Sequence, residues 1–224
     1  MNKKLFYLFV AIVLLNSCNK ESNKNDTPIS VSDVDGNVYN TLTIGTQVWM
    51  RQNLKTTHYQ NGDSIIEIID NAQWLNDKKG AFCNYNNDIE NVDTFGHLYN
   101  WYAVNNPNGL CPSGWHIPSD SEWNILVNYL GGQSIAGGAT KEISIWDMPN
   151  TDATNSSELT VIPAGGRYEN GIYSGLYQYA AFWSSTEYDS TDSWYDNMNF
   201  NNAQVYRYFY PKSAGYSCRC IFNK

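Results

Sequence analysis

The chain has 224 residues and a net charge of −8. Such an acidic balance excludes nucleic acid as an expected partner, because phosphate recognition needs a basic surface. Only 16 % of residues are charged while 15 % are aromatic, which excludes an intrinsically disordered chain and suits one folded domain with a sizeable core.

The first residues carry an export pattern. Lys3 and Lys4 precede an unbroken apolar run over 5–15, the length of a signal-peptide core and too short to span a bilayer. The run ends in Leu15-Asn16-Ser17-Cys18, which resembles a bacterial lipobox. That resemblance implies cleavage after residue 17, acylation of Cys18, and a partnership with the membrane through the N-terminal lipid. Residues 18–30 are polar and aperiodic, a flexible tether. Asn19 is not the Asp of an enterobacterial inner-membrane retention signal, so the expected location is the outer membrane of the cell envelope. Residues 31–224 show no internal repeat and no second linker, and read as one domain.

In chain order, 38–44 and 47–52 are β-rich runs joined by Gly45-Thr46, a pair that suits a type II′ hairpin turn. Residues 60–95 are rich in Asn, Asp and Gly and read as irregular loops with a short helical turn near Trp74. The stretch 96–106 reads as a helix stopped by Pro107. A second and clearer helix starts at Ser119. Ser119 and Glu122 fit a capping box, Gly131-Gly132 ends it, and Trp123, Leu126, Val127 and Leu130 form one apolar stripe at i, i+3, i+4 and i+7. Beyond residue 158, the runs 181–187, 193–200, 204–210 and 216–222 read as short aromatic strands separated by turn residues. Helices early and strands late predict an α+β domain with an antiparallel sheet.

Candidate sites are few. Once Cys18 carries lipid, Cys83, Cys111, Cys218 and Cys220 remain. An even number in an exported domain suggests two disulfides with three connectivities open. Cys218 and Cys220, two apart on a strand, share a face and are not expected to bond to each other. Tyr206, Tyr208 and Tyr210 alternate with other residues and must share one face of a strand. With Trp194 they make a speculative ligand surface, since exposed Tyr and Trp give flat, low-entropy contact area. Core packing and cross-strand pairing are the favoured reading for most of these rings. Asn86, Asn87 and Asp88 can offer oxygens to a structural calcium from one loop, although loop solvation is the commoner explanation of such residues. No other cofactor is expected. The histidines lack zinc spacing, and no nucleophile elbow, phosphate loop or dinucleotide fingerprint occurs.

Several segments together resemble one family: Asp35-Gly36-Asn37-Val38-Tyr39, Gln47-Val48-Trp49-Met50, Asn53-Leu54-Lys55-Thr56, Leu98-Tyr99-Asn100-Trp101-Tyr102-Ala103-Val104, Cys111-Pro112-Ser113-Gly114-Trp115-His116-Ile117-Pro118, Trp183-Ser184-Ser185-Thr186-Glu187 and Gly215-Tyr216-Ser217-Cys218-Arg219-Cys220. In this order, over about 31–222, the chain is similar to the Fibrobacter succinogenes major paralogous domain, a family common in lipoproteins of Bacteroidetes and Fibrobacteres. It departs from that pattern at Cys218, usually apolar, and at Glu158-Leu159, usually Gly-Phe. The 114–123 stretch and the chain's ending are more distantly similar to formylglycine-generating enzymes. This likeness implies a C-type lectin-like fold of two helices, a small antiparallel sheet and long irregular loops. The family resemblance also favours a Cys111–Cys220 disulfide and leaves Cys83–Cys218 as the residual pair. The resulting expectation is a non-catalytic envelope module that binds glycan or protein. The alternatives are an oxidoreductase using free thiols at Cys218 and Cys220, and a structural subunit of a surface assembly.

Overall fold

A computed structural model describes residues 30–223. The expected signal segment, Cys18 and the tether up to residue 29 lie outside the described residues. The chain begins with β1 (Ser30–Ser32) and β2 (Val38–Ile44), joined by a turn in which Gly36 has φ +83°. Asp33 ties this turn together. Its carboxylate accepts the N–H groups of Asp35 and Asn37 and the Tyr39 hydroxyl, the last at 2.6 Å. β3 (Gln47–Met50) completes the expected hairpin, and Gly45 alone of the two turn residues has a positive φ, as a II′ turn requires.

The Asn-rich middle is a succession of short elements: β4 (Ile66–Glu67), α1 (Asn71–Asn76), β5 (Ala81–Cys83), α2 (Val92–Phe95), β6 (Leu98–Tyr99) and α3 (Trp101–Val104). Helix α1 is the expected turn. Asp70 caps it by accepting the Gln73 N–H at 2.8 Å, and Trp74 is fully buried. The helix expected over 96–106 shrinks to the single turn of α3. Tyr99 exchanges backbone hydrogen bonds with Tyr216, at 2.9 and 3.1 Å, and Asn100 caps the helix start, so the residues before Trp101 are extended.

After β7 (Trp115–His116) comes α4 (Asp120–Tyr129), with the expected Ser119–Glu122 capping box and with Trp123, Leu126 and Val127 buried. Then follow α5 (Ala136–Thr140), β8 (Ala164–Arg167), β9 (Tyr173–Leu176), β10 (Tyr179–Glu187), β11 (Asp192–Asn199), β12 (Val205–Pro211) and β13 (Ile221–Phe222). The described strands form three sheets, ordered β1-β2-β3-β13-β7, β12-β11-β10-β8-β9 and β4-β5-β6.

This architecture overturns the α+β, C-type lectin-like expectation. Thirteen strands outweigh five short helices among the described residues, the longest helix having 10 residues. Seven of those strands precede residue 117, so the order of helices first and strands later does not hold. A helix of more than two turns forms only where a cap and an apolar stripe coincide, at α4.

Strand β10 divides the interior. Trp183 faces one core with Tyr99, Trp101 and Tyr216, while Phe182 faces another with Trp49, Trp123 and Leu126. A third, smaller core holds Trp74, Cys83 and Leu98. The long loops around them are fixed by three buried cations that hydrogen-bond backbone carbonyls. Lys141 Nζ donates to the carbonyls of Thr151, Asn199 and Asn202 at 2.9–3.1 Å. The Arg167 guanidinium donates to the carbonyls of Ile68, Ile69 and Gly171, and lies 4.4 Å over the Trp74 ring. Arg219 donates to the carbonyls of Leu159 and Thr160 and to Asn53 Oδ1. None of the three pairs with a carboxylate among the described residues.

Cys111 and Cys220 form a disulfide, as the resemblance implied. The residual pairing does not form. Cys83 and Cys218 are free and buried, because Cys83 lies in the third core and Cys218 in the first. Burial pushes the Cys83 thiol up to about 11 and Cys218 well above the ordinary thiol range. Thiol titration in denaturant without reductant is therefore expected to find both Cys83 and Cys218 reactive; neither reacting would restore the second disulfide.

Candidate functional site

The register of β11 with β12 sets which rings share a face. Trp194 lies opposite Phe209, Tyr195 opposite Tyr208, Asp196 opposite Arg207 and Asn197 opposite Tyr206. Side chains alternate across a sheet and paired residues share a face. Trp194, Asp196, Arg207 and Phe209 are thus on one side, and Tyr195, Tyr206, Tyr208 and Tyr210 on the other. The expected surface of Trp194 with Tyr206, Tyr208 and Tyr210 does not form, because the sheet separates Trp194 from the three tyrosines.

The tyrosine side grades from core to solvent. Tyr210 packs 6.1–6.3 Å from Tyr168, Tyr195 and Tyr216 at the margin of the first core. Tyr206 lies parallel to Tyr208 at 5.6 Å, and Tyr208 is 47 % exposed.

The other side forms a compact aromatic face. Tyr188, just past β10, stacks on Phe209 with ring centres 3.9 Å apart and planes 5° off parallel. Both meet Trp194 edge-on, at 4.9 and 5.8 Å. Tyr188 and Phe209 keep 44 % and 47 % of their surface in solvent. The Arg207 guanidinium sits 3.3 Å from the Trp194 ring centre and forks onto Asp120, Nε to Oδ1 and a terminal nitrogen to Oδ2. Asp120 is the first residue of α4, where the helix dipole favours a carboxylate. The capped helix therefore fixes Asp120, Asp120 orients Arg207, and Arg207 holds Trp194. Each aromatic pair contributes about 0.5–1.5 kcal/mol beyond its buried area. A cluster of three rings fixed in this way is a pre-organised stacking surface.

Behind it lies Asp196, buried opposite Arg207. Loss of solvent, reinforced by the charge of Asp120, raises its pKa from 3.8 to about 8, against the pull of Arg207. The group is a neutral acid at neutral pH.

The proposed calcium oxygens are engaged otherwise. Asn87 Oδ1 accepts the Tyr173 hydroxyl at 2.7 Å, and Asp88 Oδ1 accepts the Glu90 N–H at 3.0 Å, capping the next turn. Asn86 and Asn87, at φ +54° and +55°, make the bend that leads into Asp88. No cluster of three or more His, Cys, Asp or Glu among the described residues is arranged to hold a metal. Of the histidines, His58 Nδ1 meets Asp35 at 2.6 Å, His116 Nε2 meets Glu122 at 3.0 Å, and His97 Nδ1 meets Asn84 Oδ1 at 2.8 Å. Burial lowers His97 to about 4, so it is neutral. Sequence reasoning found Trp194 but missed Tyr188, which follows the strand, and Phe209, whose place opposite Trp194 only the register reveals.

These features define a mostly-β domain closed by one disulfide, with aromatic rings displayed at the end of its central sheet. No helix among the described residues is long and apolar enough to cross a membrane. The chain belongs to the family described as the Fibrobacter succinogenes major domain, whose model matches residues 42–221. It matches no curated protein and no solved structure.

Asp196 yields a pH signature. Between about pH 4 and 8 the folded protein holds a proton there that the unfolded chain has released, so this group's contribution to stability falls as pH rises through that window. Asp196→Asn removes the titrating carboxyl. In urea unfolding, the variant is expected to gain on the parent between pH 5 and pH 8; an equal difference at both pH values would contradict the burial of an ionisable acid.

Proposed function

We propose that the protein is an outer-membrane lipoprotein whose domain is a non-catalytic module binding glycan through the face formed by Tyr188, Trp194 and Phe209. The observation that carries this reading is the stacked, half-exposed Tyr188–Phe209 pair braced edge-on by Trp194. Flat, rigid rings bury area against the apolar faces of sugars at little entropic cost. Anchoring rests on the Leu15-Asn16-Ser17-Cys18 sequence and the polar stretch after it. If Cys18 is acylated, the native protein exposes no third thiol on denaturation. The oxidoreductase alternative needs Cys218 and Cys220 as a free pair, whereas Cys220 is bonded to Cys111.

Polysaccharide panels and affinity electrophoresis test the reading. Phe209→Ala is expected to weaken binding of the retained glycan about tenfold, equivalent to about 1.4 kcal/mol. Tyr208→Ala, on the opposite face, is expected to leave it unchanged. Absence of any retained glycan across soluble and insoluble panels, or equal loss in both variants, would contradict the assignment.

A further inference from the structure

A cleft of about 390 Å3 shares no residue with the aromatic face and is lined by Val38, Arg51, Lys55, Asp93, Thr160 and Ile162 among others. We propose that it binds an oxyanion-bearing ligand, with the Arg51 guanidinium as the principal contact and Lys55 as the second.

The chain is acidic overall, yet this cleft gathers positive charge. Arg51 and Lys55 are on its wall, and Arg219 is fully buried close behind it. Arg51 belongs to no ion pair among the described residues. Its one side-chain hydrogen bond among the described residues runs from a terminal nitrogen to Thr160 Oγ1 at 3.2 Å. A guanidinium carries five N–H donors in a planar fork, so most of this one is uncommitted. Arg219 likewise has neutral partners only, and desolvation, with the charge of Arg51 next, lowers it to about 9.

Thr160 links the two cations. Its carbonyl accepts from Arg219 and its hydroxyl from Arg51. It does so from φ +57°, a left-handed conformation that is costly for a β-branched residue. Asn155 enforces it, accepting the Thr160 N–H at 2.9 Å and donating to its hydroxyl at 3.1 Å. The loop thus accepts strain to fix a guanidinium at a cleft where no protein carboxylate answers it.

The one carboxylate on the wall is Asp93. It reaches Lys55 at 3.4 Å and its side chain is 96 % exposed, a pairing worth little in water. An incoming anion meets weak competition. A carboxylate or phosphate matches the guanidinium fork with two parallel hydrogen bonds, while Val38 and Ile162 offer apolar contact to the body that carries it.

The test is titration of sodium glucuronate and, separately, inorganic phosphate into 15N-labelled protein at low ionic strength, following the amides of Arg51, Lys55, Gly96 and Thr160. Saturable shifts are expected, with affinity reduced at least tenfold in Arg51→Gln and increased in Asp93→Asn. Glucuronate alone saturating identifies an acidic sugar; both saturating identifies a site for the bare oxyanion. Arg51 is only partly buried, so the Gln variant retains the fold, which its amide spectrum checks. If neither probe saturates, or if Arg51→Gln binds as the parent does, the proposal is overturned. The aromatic face shares no residue with the cleft, so either reading can fail without the other.

Discussion

Buried cations that donate to backbone carbonyls hold this protein together. A domain with so many connecting segments must find partners for peptide groups that neither helix nor sheet satisfies. Lys141, Arg167 and Arg219 supply them in three places: the 142–157 and 199–202 loops, the 68–71 and 168–171 loops, and the 159–160 bend. An ammonium offers three donors and a guanidinium five, so one side chain can fix several strands of irregular backbone. Burying the charge has its cost. It lowers Lys141 to about 8 and Arg219 to about 9. The carbonyls and the flanking rings of Trp146, Trp74 and Phe182 offset it.

With loops fixed by cations, the central sheet is free to act as a partition. Around β10 both faces are buried, one in each major core. Toward β12 the cores run out, and the rings that would continue them stand half in solvent. The aromatic face is the exposed margin of a core, stiffened from α4 through Asp120 and Arg207. The cleft at Arg51 follows the same logic, since the bend that satisfies Arg219 is the one that positions Thr160 against Arg51.

What could be read from the sequence was local. The Ser119–Glu122 box with its apolar stripe, the Gly45-Thr46 turn and the helical turn at Trp74 each depend on neighbours within a few residues, and each formed. What failed was long-range. Strand β6 pairs with β5 and, through Tyr99, with Tyr216, and β13 pairs with β3 across most of the chain, Ile221 against Trp49. Strands of two residues leave no periodicity to detect, which is why an α+β scaffold was expected where a mostly-β one exists. The candidate site shows the same divide. Trp194 stood out as a residue type, but its partners Phe209 and Tyr188 and its separation from Tyr206, Tyr208 and Tyr210 are consequences of register. The buried cations look in sequence like any surface Lys or Arg.

The dependence on carbonyl-bound cations is tested most directly by urea unfolding of Arg167→Met. Methionine retains an apolar stem but leaves the carbonyls of Ile68, Ile69 and Gly171 without their donor. The bonds to Ile68 and Gly171 are buried and the one to Ile69 is part-buried, so at a cost of about 1–3 kcal/mol for each buried group left unsatisfied a loss of at least about 2 kcal/mol is expected. A loss below about 1 kcal/mol, the range of an ordinary surface contact, would contradict the account.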